Sequence, residues 1–129
     1  MHKGFIKTAA ILGALSVAIG AFAAHQLKGN ISDSALEIFE TAVKYQFYHV
    51  FALMVVGILY KEFPNKLIRW SGRLFIIGIV LFSGSLYVLT ATIAAANPGY
   101  NWIGAITPLG GLCFILGWIF IVLGCNRKA

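Results

Sequence analysis

Four long apolar stretches dominate this chain: Phe5 to Ala24, Tyr45 to Tyr60, Leu74 to Ala96 and Ile103 to Leu123. Three of them reach the roughly 20 residues that a membrane-spanning helix requires, and the second is short. Such a pattern predicts an all-α integral membrane bundle of four transmembrane helices, with residues 1–129 forming a single four-span membrane domain. Composition agrees. The chain is 60% hydrophobic and 11% charged, whereas an ordinary soluble domain is about 25% charged. Its net charge of +6 does not point to nucleic acid, because the basic residues flank apolar runs and do not gather on a solvated face. Cys113 and Cys125 stand roughly 18 Å apart on a helix, too far for an intrachain disulfide.

The short second stretch is supported by charge asymmetry. Eight of the ten Lys and Arg residues (Lys3, Lys7, Lys61, Lys66, Arg69, Arg73, Arg127 and Lys128) lie before the first stretch, between the second and third, or after the fourth. The other flanks hold only Lys28 and Lys44. Basic residues favour the cytoplasmic side, so four crossings place both termini in the cytoplasm.

The connections carry their own signals. Ser34 and Glu37 have capping-box spacing, and Leu36, Phe39 and Val43 follow a helical stripe, which predicts a short amphipathic helix between the first and second spans. Glu40 and Lys44 read as a solvated pair on its polar face. Glu62 to Ser71 reads as a basic loop broken by Pro64, with Trp70 as an interfacial anchor. The run from Asn97 to Trp102 combines turn residues with two aromatics suited to headgroup level. At Thr107-Pro108 either the proline kinks a helix begun near Ile103, or Thr107 caps a helix whose first residue is Pro108; the second is preferred.

The first span has a rival reading. Its basic start, its apolar run and the small residues of Ala21-Phe22-Ala23 also suit a cleaved signal peptide, which would leave three spans and an exported N-terminus. Against cleavage, Ser16, Gly20 and Ala24 fall at the small-xxx-small spacing that lets helices pack closely in lipid.

With this topology, most polar residues of the spans fall in the outer half. His25 and Gln26 end the first span, Gln46 and His49 open the second, Tyr87, Thr90 and Thr92 lie on the third, and Thr107 opens the fourth; Ser83 and Ser85 fall near the midplane. The candidate polar cluster is therefore His25, Gln46, His49, Tyr87 and Thr107. Ionisable residues inside a membrane often serve function, so His25 and His49 are candidates for a proton relay or ligand contact. The competing reading is that each imidazole bonds a neighbouring helix and orders the bundle. Two histidines without further ligands at suitable spacing do not assign a metal site, and Glu40 is the one nearby carboxylate. No catalytic residue and no cofactor is assigned, since Ser83-Gly84-Ser85 lacks the elbow and acidic partner of a hydrolase. Gly13 and Gly20, and Gly110, Gly117 and Gly124, recur every seven residues and mark helix contacts.

Four ordered segments carry a family resemblance: Gly20-Ala21-Phe22-Ala23-Ala24-His25-Gln26-Leu27-Lys28, Thr41-Ala42-Val43-Lys44-Tyr45-Gln46-Phe47-Tyr48-His49, Leu81-Phe82-Ser83-Gly84-Ser85-Leu86-Tyr87 and Ile106-Thr107-Pro108-Leu109-Gly110-Gly111. The chain resembles domain of unknown function family 423, the transmembrane protein 256-like small membrane proteins, over nearly its whole length. Ala23 and Gln26 stand where glycine is more usual. The resemblance implies a small multi-span membrane protein, bacterial or organellar, with the bacterial plasma membrane as the expected location, and names no substrate, cofactor or reaction. It also argues against cleavage, because the first segment straddles the cut.

Three functions compete. A structural or accessory membrane component ranks first. A small transporter or channel with an outward-facing polar cavity ranks second, weakened by the lack of ionisable residues continuing a path inward. A membrane enzyme acting on a lipid or quinone ranks last, for want of a base and nucleophile pair. Membrane lipids are the expected partners, self-association into a homo-oligomer is open, and no small-molecule ligand is assigned.

Overall fold

No proline or glycine interrupts the chain from Asp33 to Val56, and a buried stripe at alternating spacings of three and four (Ala35, Phe39, Ala42, Gln46, His49, Leu53, Val56) runs through it without a break. One helix results. In the computed structural model, which describes residues 1–126 apart from the side chains of Pro98, Tyr100 and Asn101, α2 (Asp33–Leu59) is continuous over 27 residues, about 40 Å. The amphipathic segment expected as a separate short helix is thus the opening turns of the second span. Its cap also differs from expectation. The Ala35 amide donates to Ser32 Oγ at 3.2 Å, so Ser32 and not Ser34 caps the helix, and Ser34 Oγ shares a hydrogen bond with Ser32 Oγ.

Helix α1 (Lys3–Phe22) is capped by His2, whose Nδ1 accepts from the Phe5 amide. The His2 amide donates to the Gly57 carbonyl at 2.7 Å, tying the start of α1 to the end of α2. A π-helical turn, Ala23–Leu27, extends α1. The chain then reverses through Gly29 at φ +83°, which glycine adopts without a Cβ penalty.

The third span begins earlier than expected. Asn65 Oδ1 accepts from the amides of Leu67 and Ile68, and α3 (Lys66–Gly78) starts inside what reads in the sequence as a basic loop. The reason lies in the stripe. Ile68, Ser71, Gly72 and Phe75 are buried on one face of α3 while Lys66, Arg69, Trp70 and Arg73 occupy the other. A π-helical turn, Ile79–Ser83, joins α3 to α4 (Gly84–Ala94). Helix α4 ends in a Schellman-type cap, with bonds from the Ala96 amide to Ile93 O and from the Asn97 amide to Thr92 O, and with Ala96 at φ 52°. A 3-10 helix, Pro98–Ala105, leads to α5 (Thr107–Cys125). Helix α5 begins at Thr107, one residue before the expected Pro108, so Ile106 and not Thr107 holds the cap position, and no side chain caps the helix.

Four helices among the described residues are long and apolar enough to cross a membrane: Lys3–Leu27, Asp33–Leu59, Lys66–Ala94 and Trp102–Cys125. Among the described residues none forms a strand. Arg127 and Lys128, two of the basic flanking residues, lie outside the described residues, as does the side chain of Tyr100; Trp102 is exposed. Each span packs on its neighbour in sequence, around a core that includes Phe5, Val50, Leu53, Val56, Ile68, Phe75 and Phe114. The outer surface is equally apolar, with Ile11, Leu15 and Val17 on α1 and Leu112, Ile115, Ile119 and Val122 on α5 exposed. Buried Ser16, Gln46, Ser83 and Thr90 lie inside that apolar shell. Large aliphatics outside and hydrogen-bonded polar groups inside suit a chain whose solvent is hydrocarbon.

The third and fourth spans meet backbone to side chain. Gly110, Gly117 and Gly124 face Phe82, Phe75 and Ile68, each series stepping by seven residues in opposite chain directions. Gly78 returns the arrangement by receiving Phe114. A Cβ at Gly117 would lie 2.6 Å from the Phe75 ring, and one at Gly110 would strike the backbone of Phe82.

Candidate functional site

The continuous α2 places Gln46 midway along its length, not at an outer end, and Gln46 is buried. Its Nε2 donates to the Leu12 carbonyl at 3.2 Å, and its Oε1 accepts from the Tyr87 hydroxyl at 2.7 Å. The amide orientation follows from chemistry: a carbonyl only accepts, so the amide nitrogen must face Leu12. The Leu12 carbonyl also receives Ser16 Oγ at 2.8 Å. One side chain on α2 thereby bridges α1 and α4. Beside it, Ser83 Oγ donates to the Ala42 carbonyl at 2.7 Å, joining the π-helical turn of the third span to α2.

His49 belongs to a second group. Its Nδ1 lies 2.7 Å from the Tyr45 carbonyl, and Trp118 Nε1 on α5 donates to its Nε2 at 3.3 Å. An indole N–H can only donate and a carbonyl can only accept, so the imidazole is neutral with its proton on Nδ1. Phe114 stacks on the ring at a centroid distance of 3.5 Å. A cleft of about 390 Å³ lined by Tyr45, His49, Phe82, Gly111, Phe114, Ile115 and Trp118 opens beside this group.

Thr107 belongs to a third group. Its hydroxyl lies 2.6 Å from Ser85 Oγ, which in turn donates to the Phe82 carbonyl. Since Ser85 spends its proton on Phe82, Thr107 is the donor between the two hydroxyls. Thr90 and Thr92 bond back to their own helix, at Leu86 and Leu89. His25 and Gln26 are exposed on the π-helical turn after α1. The five residues grouped from the sequence are therefore divided: Gln46 and Tyr87 touch, His49 and Thr107 each have separate partners, and His25 meets none of the other four.

Sequence reasoning missed Trp118, Leu12 and Asn65. A tryptophan inside an apolar span does need a partner for its N–H, but nothing local names a histidine 69 residues away. Asn65 Nδ2 donates to the Gly124 carbonyl at 2.9 Å and so ties the start of α3 to the end of α5. No group of three or more His, Cys, Asp or Glu residues converges among the described residues.

Comparison with known proteins places this arrangement in a family. The family model described as "Protein of unknown function (DUF423)" matches residues 19–111. UPF0382 membrane protein YwdK of Bacillus subtilis is 44% identical over 126 residues, 97% of this chain and 98% of that protein. UPF0382 membrane protein SERP0230 of Staphylococcus epidermidis is 41% identical, covering 98% of each chain. UPF0382 membrane protein SH2409 of Staphylococcus haemolyticus is 40% identical, covering 94% of this chain and 93% of its own. No solved structure matches the chain. With that length of agreement, and with four helices fit to span a membrane, the chain belongs to the DUF423 family of multi-pass membrane proteins.

Proposed function

We propose that the chain is a structural or accessory component of the bacterial plasma membrane, working as one four-span unit with both termini in the cytoplasm. The observation that carries this reading is that Gln46 and His49, the polar side chains buried on α2, are held by hydrogen bonds within the protein itself. Gln46 sits between the Leu12 carbonyl and the Tyr87 hydroxyl, and both nitrogens of His49 are occupied. Side chains engaged in this way, with neighbouring helices through Leu12, Tyr87 and Trp118 and with their own helix through Tyr45, order a bundle; a transport path or a reaction centre needs groups left available to a ligand. The orientation rests on the basic residues Lys61, Lys66, Arg69 and Arg73 between the second and third spans, opposed to Lys28 in the turn between the first and second.

The test joins stability, ligand response and topology. In mild detergent, His49→Gln and Trp118→Phe each lower the Tm, and none of a panel of metals, quinones and small metabolites stabilises the wild type in a way that His49→Gln abolishes. A ligand whose stabilisation disappears in a folded His49→Gln variant would replace the structural reading with a binding site. A cysteine introduced at Lys61 should react with a membrane-impermeant thiol reagent only after the cells are opened, and labelling in intact cells would reverse the orientation.

A further inference from the structure

The lipid-facing strip of the third span changes character along its length. Lys66, Arg69, Trp70 and Arg73 lie at helical spacings of three and four, so they share one face, and all are exposed. The same face continues through Ile77 and Val80, which are 42% and 64% exposed and purely apolar. A cation-rich segment therefore runs directly into an apolar one. That is the order of chemistry met along an anionic phospholipid, from headgroup to acyl chain.

The cationic segment is shaped as well as charged. A hollow of about 600 Å³ is lined by Pro64, Asn65, Lys66, Leu67, Arg69 and Trp70. The Arg69 guanidinium donates to the Tyr60 hydroxyl and lies 5.5 Å from the Tyr60 ring centroid. Arg73 stands 5.0 Å from the Trp70 ring centroid. Aromatic contacts of this kind hold a guanidinium at the rim of a membrane. Arg69 keeps further N–H groups beyond the one given to Tyr60, in the fork geometry that fits a phosphate. Charge complementarity is one-sided, because Glu62 is the only acidic residue after Glu40 in the whole sequence. The opposite end of the bundle differs: there Lys28 is accompanied by the acidic Asp33 and Glu37. Asn65 Oδ1 already occupies the amides of Leu67 and Ile68, so side chains and not the helix terminus would hold the anion.

We propose that this face binds an anionic phospholipid, its phosphate held by Lys66, Arg69 and Arg73 and its chains laid over Ile77 and Val80. The site is independent of whether the interior histidine is structural, since none of its residues touches His49. It gives the membrane partner of this chain a defined chemistry: a diacyl lipid carrying net negative charge.

The experiment uses the full chain in mild detergent, titrated with phosphatidylglycerol or with phosphatidylcholine of the same acyl chains. Native mass spectrometry counts bound lipid while thermal unfolding reports stabilisation. Phosphatidylglycerol is expected to stay bound and to raise the Tm, and phosphatidylcholine to do neither. Joint replacement Arg69→Gln and Arg73→Gln removes two surface cations and weakens phosphatidylglycerol binding about thirtyfold. Lys66→Gln, at an exposed side chain, weakens it about fivefold and serves if the double variant does not fold. Lys28→Gln with Lys44→Gln leaves binding intact. Equal binding of the two lipids, or wild-type affinity in the Arg69 and Arg73 variant, overturns the proposal. Equal protection by inorganic phosphate overturns the lipid assignment in favour of a simple anion site.

Discussion

Two series of glycines, in α1 and in α5, share a seven-residue period and do different things. Gly110, Gly117 and Gly124 on α5 each receive a large side chain of the third span, and a Cβ there would lie in or against Phe82, Phe75 or Ile68. Gly13 and Gly20 on α1 only approach α2: a Cβ would sit 3.3 Å from Val50 and 3.5 Å from Val43, the second an ordinary contact. The α5 seam is held by interlocked apolar shapes. The α1 seam is held near its middle by hydrogen bonds, where Gln46 takes the Leu12 carbonyl and the Tyr87 hydroxyl. Hydrocarbon offers no hydrophobic drive between helices, so a seam in lipid needs either close packing or polar bonds. The two seams weight these devices differently, and neither uses one alone: Asn65 also bonds the Gly124 carbonyl across the α5 seam, and Ile6 of α1 fills the space at Gly57 of α2.

The largest expected effect breaks the packed seam. Gly117→Ala sets a methyl group 2.6 Å from the Phe75 ring and should cost about 1–3 kcal/mol, as overpacking does. Unfolding in mixed micelles measures it, and Phe75→Leu in the same chain should recover part of the loss. Wild-type stability in the single variant would mean that this seam is looser than its geometry. A smaller effect sharpens the polar side of the comparison. In a double-mutant cycle, Gln46→Leu and Tyr87→Phe should show a coupling of about 0.6 kcal/mol and no more than about 1.7 kcal/mol, the average and the upper end for hydrogen bonds between membrane helices. Strict additivity of the two losses would show that Gln46 and Tyr87 do not act as a pair. The smallest effect distinguishes the two glycine series directly. Gly20→Ala should leave stability unchanged or raise it by up to about 1 kcal/mol, because alanine is the better helix former and its methyl meets Val43 at normal distance. A loss there as large as at Gly117 would make the two seams alike.

The candidate site was legible in kind more than in arrangement. Gln46, His49 and Tyr87 stand out in the sequence as polar residues in apolar runs, and all three make hydrogen bonds between helices. Their grouping did not follow, because it depends on depth. The second span looked like a segment opening at Tyr45, which set Gln46 and His49 at an outer end beside His25. The helix actually begins at Asp33, since the buried stripe carries on past Lys44 and nothing in that segment breaks a helix. That shift moves Gln46 to the level of Leu12 and leaves His25 exposed on its own turn. Glu62 to Ser71 differs in the same way: a run of basic residues resembles a loop, yet from Lys66 onward its opposite face, Ile68, Ser71 and Gly72, is buried.

By itself the sequence determines the number of spans, the all-helical class, the basic bias between the flanks and the family, because length, hydropathy and charge act locally and an apolar run of spanning length pairs its backbone groups within itself as a helix. It also places small residues at a period suited to helix contact. Only the tertiary structure decides which glycines are filled, that Trp118 answers His49 and that Gln46 joins Leu12 to Tyr87. Those outcomes turn on the rotation and relative depth of whole helices. A seven-residue spacing is the same in α1 and α5, and what it faces is set by the neighbouring helix.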